Sequence, residues 1–164
     1  MKTLYLLRHA KSSWATAGQK DYDRPLNERG LSDAPEMGRR MHALGVPIDK
    51  VVSSPAQRAI STAVAICTEL GIDPDTIVQD RQIYLAGSPK LQQIVSFLDE
   101  ESQCAIIVAH NPALTDLAND LAHAGIDNIP TSGLVRIDLP VEFWAETLPG
   151  IGKLISFDYP KNSD

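Results

Sequence analysis

Three short apolar runs constrain this chain more than any other feature: Leu4-Tyr5-Leu6-Leu7, Lys50-Val51-Val52-Ser53 and Cys104-Ala105-Ile106-Ile107-Val108-Ala109. None alternates with polar residues, as a strand with one wet face would. Continuous apolar runs of this length suit strands covered on both faces, which are found in parallel sheets sandwiched between helices. The segments between them carry helix punctuation. Ser54-Pro55 offers an N-cap followed by proline at the first helical position, and Gly71 closes that segment. Ser88-Pro89 opens another, with Leu91, Ile94, Val95 and Leu98 on one face. Asn111-Pro112 opens a third, with Leu114, Leu117, Ala118 and Leu121 as its stripe and a stop at Gly125. An earlier helix runs from about Glu28 to Leu44 and stops at Gly45, with Pro35 inside it and Ser32 as a later cap.

The end of the chain follows a different period. Val135, Ile137 and Leu139 alternate with Arg136 and Asp138, the pattern of a strand with one wet face, and residues 153–158 repeat it more weakly. The predicted architecture is an α/β three-layer sandwich: a mostly parallel central sheet, helices on both faces, and antiparallel edge strands near the C-terminus. A chain of 164 residues suits one domain, here residues 1–160, with a polar tail at 161–164.

Composition narrows the partners. Acidic residues outnumber basic ones, 21 to 15, which argues against coating nucleic acid or an anionic membrane. No run approaches the ~20 apolar residues of a membrane span, and the N-terminal run breaks at Arg8, too early for a secretory signal. Cys67 and Cys104 lie far apart among apolar neighbours, without CxxC spacing, and read as buried hydrophobes in a reducing cytoplasm. Nothing marks a large apolar surface, so a monomer is expected.

Open α/β sheets bind ligands beyond the carboxyl ends of their strands. Arg8 and His9 follow the first run. Ser53-Ser54-Pro55 and then Arg58 follow the second. His110 and Asn111 follow the third. Two arginines and two histidines converge on one edge if the strands are neighbours, together with the helix N-termini at Ser54 and Asn111. Guanidinium forks and helix N-termini both favour phosphoryl oxygens, so the expected ligand is a phosphoryl group. A metal site is not expected: no HExxH-like spacing is present and Arg8 would repel a cation. His42 and His123 lie in helix bodies away from this edge. Pro149-Gly150-Ile151-Gly152-Lys153 precedes a strand rather than a helix and reads as a turn.

"LLRHAKSSW", "SSPAQRAISTA" and "VAHNP" together resemble the histidine phosphatase (phosphoglycerate mutase-like) superfamily. The short length, "DYDRPLNERG" and "TSGLVRIDLP" make the chain most similar to its SixA-type phosphohistidine phosphatase branch. The resemblance implies that His9 is the nucleophile, that Arg8 and Arg58 clamp the phosphoryl oxygens, and that His110 hydrogen-bonds them. It implies no cofactor. Ala10 stands where many relatives have glycine. Ala15 stands where many carry an asparagine that reaches phosphate, which leaves Ser12 as a candidate replacement and Lys11 as a solvated side chain.

Phosphomonoesterases of this superfamily usually carry an acid after the strand that here ends near Val78-Gln79. The stretch Gln82-Ile83-Tyr84-Leu85-Ala86-Gly87 holds none, and Asp80 comes too early. Asp21 and Asp23 are the remaining candidates for a proton donor, each also readable as a turn residue paired with Arg24 or solvated. An alkoxide needs a proton as it leaves, whereas imidazole is a far weaker base. The expectation is therefore hydrolysis of phosphohistidine on a phosphorelay-type protein. A general small-molecule phosphomonoesterase and a non-catalytic phosphoprotein-binding module are the alternatives.

Overall fold

Alternation along the first strand splits the core in two. In β1 (Lys2–Arg8), Leu4 and Leu6 join one apolar cluster while Tyr5 and Leu7 join another on the opposite face. The computed structural model describes residues 1–162. After β1 follow α1 (Glu28–Leu44), β2 (Lys50–Ser53), α2 (Gln57–Leu70), β3 (Val78–Gln79), α3 (Ser88–Ser96), β4 (Cys104–Ala109), α4 (Ala113–Ala122), β5 (Leu134–Leu139) and β6 (Lys153–Asp158).

Among the described residues, six strands form one sheet in the order β3-β2-β4-β1-β5-β6. The ladders β3/β2, β2/β4 and β4/β1 are parallel, and β1/β5 and β5/β6 are antiparallel. The expected sandwich with an antiparallel C-terminal edge is thus the architecture found. Helices α1 and α2 cover the face carrying Tyr5, Leu7, Ile106 and Val108. Helices α3 and α4 cover the face carrying Leu4, Leu6, Ile107 and Ile137. Each buried Leu or Ile contributes about 1.5–3 kcal/mol through its removal from water. No helix among the described residues is long and apolar enough to cross a membrane.

Helix α1 begins where Asn27, not Ser32, caps it: its Oδ1 accepts from the Gly30 N–H at 2.9 Å. Pro35 sits inside without ending it, at the loss of one ladder hydrogen bond. Gly30 is required by close packing: a Cβ there would lie 2.2 Å from the Lys11 carbonyl oxygen. That carbonyl also accepts from Asn27 N at 2.9 Å, which ties the loop after β1 to the start of α1.

Three helix ends differ from expectation, each because a side chain is engaged elsewhere. Helix α2 starts at Gln57, and Ser54 is not its cap; the Ser54 hydroxyl meets His110 instead. Helix α3 takes Ser88 as its first residue rather than its cap, and the Ser88 hydroxyl donates to Asp120 at 2.5 Å. Helix α4 stops before Gly125, with His123 left-handed at φ 47°. There Asn119 bonds both N–H and C=O of Ile126, closing the turn early. Of the expected polar tail, Asn162 is held by its carbonyl on Arg40, which also gathers the Asp158 carboxylate and the carbonyls of Tyr159 and Pro160. Ser163 and Asp164 lie outside the described residues.

At the edge of the sheet opposite the phosphate-type motifs, Lys2 is 1% exposed. Its ammonium donates to the carbonyls of Glu100 and Ser102, both at 2.9 Å. The Glu100 carboxylate accepts from the backbone N–H groups of Trp144 and Ala145 and lies 3.8 Å from the ammonium. Glu100→Ala removes these acceptors together and should lower stability by about 1–3 kcal/mol. A urea titration should show a lower midpoint at unchanged slope.

Candidate active site

The parallel register decides which side chains meet. Arg8 pairs with Ala109 across β1 and β4, and Ser53 pairs with Val108 across β2 and β4. The next residues, His9, His110 and Ser54, therefore leave the sheet side by side. The segment after β1 is fixed from three directions. His9 N donates to Ala109 O at 3.2 Å, and His9 O accepts from Ser132 N at 3.1 Å. Ala10 N donates to Thr62 Oγ1 at 2.9 Å, and that hydroxyl donates to the Arg58 carbonyl at 2.7 Å. Thr62 thus bolts the His9 loop to the first turn of α2.

His9 is 7% exposed. Its Nδ1 lies 2.8 Å from the Ala10 carbonyl oxygen, which can only accept, so Nδ1 carries the proton and Nε2 a free lone pair. The His110 ring stands 5.1 Å from that of His9, centroid to centroid. His110 Nε2 meets Ser54 Oγ at 2.8 Å. Arg8 Nη1 donates to the Ile129 carbonyl at 3.0 Å. Arg8 Nε and His110 Nδ1 are buried side-chain nitrogens with no partner among the described residues. The four residues that the motifs pointed to, Arg8, His9, Arg58 and His110, come together at one edge.

Burial is the main cause of depressed basicity here. It pushes His9 down to about 3, helped by the charges of His110, Arg58 and Arg8 and opposed by the Ala10 hydrogen bond. Burial, then the Arg58 charge, brings His110 down to about 4, with Asp21 pulling the other way. Both imidazoles are neutral at pH 7. Arg8 is lowered by burial and by Arg58.

Asp21 lies at the pocket as an ionised acceptor. Tyr84 donates its hydroxyl to Asp21 Oδ2 at 2.7 Å, Arg58 Nη2 donates to the same oxygen at 3.0 Å, and Arg24 Nη1 donates to Oδ1 at 2.8 Å. Arg58 Nη1 also takes the Asp21 carbonyl at 2.8 Å. The Tyr84 hydrogen bond first, then Arg24 and Arg58, hold the carboxyl down at about 2 against the opposing effect of burial. A carboxyl held ionised by these donors carries no proton at neutral pH.

Two other candidate phosphate ligands face elsewhere. The Ser12 hydroxyl accepts from Arg24 Nη2, and Arg24 stacks over the Trp14 ring. The Asn111 side chain donates to the Ile129 carbonyl at 2.8 Å and accepts from Thr115. Lys11 and Asp23 are exposed, and Asp80 caps a short turn through Gln82 N. His42 is exposed on α1, and His123 ends α4 on the far face.

Sequence reading missed Tyr84, Thr62 and the second role of Ser54. Tyr84 sits in the carboxylate-free stretch 82–87; its ring is edge-on to His110 at 5.7 Å and to Tyr22 at 5.1 Å. A groove of about 510 Å³ continues outward from these tyrosines past Pro55 and Leu85, with Arg81 and Lys90 in its wall. A larger cavity, about 1060 Å³ beside His123 and Asp120, contains none of the four converging residues.

The model of the histidine phosphatase superfamily (branch 1) matches residues 4–82. A proposed phosphohistidine phosphatase SixA from Agrobacterium tumefaciens is 31% identical, with a TM-score of 0.82 over 97% of this chain and 98% of that one. The protein histidine phosphatase SixA complexed with tungstate shares the fold at 20% identity, with a TM-score of 0.78 over 98% of each chain. An uncharacterized protein of Mycobacterium tuberculosis (strain H37Rv) is 30% identical over 165 residues, 94% of this chain and 100% of the relative. Motifs, sheet order and full-length similarity agree, and the chain belongs to the histidine phosphatase superfamily, in its SixA-type branch.

Proposed function

We propose that this protein hydrolyses phosphohistidine on a phosphorelay-type protein, through a covalent phosphoryl intermediate on His9. The observation that carries the substrate choice is the state of Asp21. It is the carboxylate bonded to the pocket's Arg58, and three donors keep it ionised. No proton waits there for an alkoxide.

The chemistry follows from the neutral, oriented ring. Its Nε2 lone pair attacks phosphorus in line, a P–Nε2 bond forms, and the P–N bond to the substrate imidazole breaks. With its other ring nitrogen protonated, the substrate imidazole departs as a neutral, weakly basic ring and needs no proton from the protein. Water then attacks the phosphorylated His9, the P–Nε2 bond breaks, and inorganic phosphate leaves. Phosphoryl transfer asks chiefly for positioning and charge stabilisation. Arg8, Arg58 and His110 supply the charge and donors, and the Ala10 carbonyl holds the nucleophile in its tautomer.

A protein substrate suits the rim. Trp14 is 75% exposed and Leu85 is 87% exposed, and the groove beside Tyr84 bears Arg81 and Lys90 in a chain of net charge −6. The designation of the Agrobacterium relative points to the same class of substrate.

Turnover of a phosphorylated histidine-phosphotransfer domain should exceed that of phosphoserine or sugar phosphates by ~10²-fold or more, the share a positioned acid would otherwise contribute to the ester. Faster ester turnover would overturn the proposal. His9→Ala should abolish both turnover and an acid-labile, alkali-stable phosphoryl label on the protein.

A histidine held neutral by burial protonates only well below its ordinary value. In NMR spectra the His9 ring resonances should therefore stay unshifted from pH 8 to pH 5 and move only as pH falls toward about 3. The double variant Arg81→Glu, Lys90→Glu should raise KM for the phosphoprotein and leave turnover of phosphoramidate unchanged.

A further inference from the structure

Ser54 is a residue for which the reaction scheme above has no use, yet it is 0% exposed and touches His110. It follows β2 directly, and its backbone N–H donates to the Val108 carbonyl at 3.0 Å, which fixes it against β4. Its hydroxyl oxygen accepts from Ala56 N at 3.2 Å and meets His110 Nε2 at 2.8 Å. We propose that Ser54 is a positioning residue that sets the tautomer of His110, placing the ring proton on Nδ1 so that Nδ1–H faces the phosphoryl oxygens as a donor.

A neutral imidazole has one N–H and one bare nitrogen. In one arrangement His110 donates from Nε2. The Ser54 oxygen then accepts twice, and its own proton has no acceptor among the described residues. In the other arrangement Ser54 donates to Nε2. The hydroxyl then has its donor and acceptor capacities both used, and the ring proton moves to Nδ1. Either way Nδ1 has no protein partner, so the fate of the serine proton decides between them. An unpaired buried hydroxyl favours the second arrangement by a roughly ten-fold or greater population.

The consequence for the pocket is specific. Arg8 Nε and His110 Nδ1 are the two buried side-chain nitrogens left unpartnered among the described residues, and both belong to this site. With the proton on Nδ1, both are donors. With the other tautomer, Nδ1 would present a lone pair to phosphoryl oxygens and repel them. The reading of Nδ1 as a phosphoryl donor rests on the proposed phosphoryl transfer; the tautomer itself does not.

Long-range ¹H–¹⁵N correlation spectra of the uniformly labelled protein at pH 7 distinguish the two. The expected His110 pattern is protonated Nδ1 and bare Nε2. Ser54→Ala should shift the pattern toward the Nε2–H form, loosen binding of inorganic phosphate, and lower kcat by ~3–10-fold with little change in KM, a fraction of the loss expected for removing such a donor outright. Ser54→Thr, which keeps the hydroxyl, should restore both pattern and kcat. A wild-type spectrum with protonated Nε2 overturns the proposal, even where the variants fail to fold. An Nδ1–H spectrum unmoved by Ser54→Ala overturns the role of Ser54. An Nδ1–H spectrum in a protein that does not release phosphate from phosphohistidine leaves the tautomer standing and removes the substrate reading.

Discussion

The pairing of Arg8 with Ala109 across two parallel strands is the constraint on which the site depends. Parallel strands end at the same edge, so residues that follow equivalent positions emerge together. His9 and His110 are one step beyond that pair, and their rings stand 5.1 Å apart. A slip of one residue would turn Leu4 and Leu6 toward the wrong helices and carry His9 into the core. The apolar alternation that seats β1 between two helical layers is therefore also what aims His9.

Around that edge the protein assembles positive charge and excludes water. Burial dominates the lowering of both histidines, and the arginines add to it. Burial alone would disfavour an anion as much as a cation; it is the charges of Arg8 and Arg58 that would favour the proposed phosphoryl group. The neutral, oriented ring and the nearby cations are thus two results of one arrangement: arginines held at a dry strand end, with the His9 ring oriented by its own neighbouring carbonyl.

The strands and the four converging side chains were legible because they are encoded locally. At β2 and β4 an apolar run, a polar stop and a helix signal lie within a dozen residues of one another, and at β1 the run and its polar stop are adjacent. What was misread concerns side chains whose partners are remote in sequence. Ser54 looks like an N-cap until His110, 56 positions later, takes its hydroxyl. Asp21 looks like a turn residue, and its pairing with Arg24, three residues on, was foreseeable. Its links to Arg58 and to Tyr84, 63 positions away, were not. Gly125 failed as a stop because the Asn119 side chain closes the turn first. Local grammar names the elements; hydroxyl and carboxylate allegiances are settled only when the elements pack.

Asp21 gives the site a property beyond acid–base chemistry. One carboxylate ties Arg58 on the pocket floor to Arg24 and to Tyr84, and Arg24 in turn carries the exposed Trp14. Force applied at the rim is transmitted to the floor through one residue, by its carboxylate and its backbone carbonyl. Anything that seats on Trp14 and draws its loop outward also draws on the Arg58 guanidinium. Docking and grip form one mechanical linkage, with Asp21 as the joint.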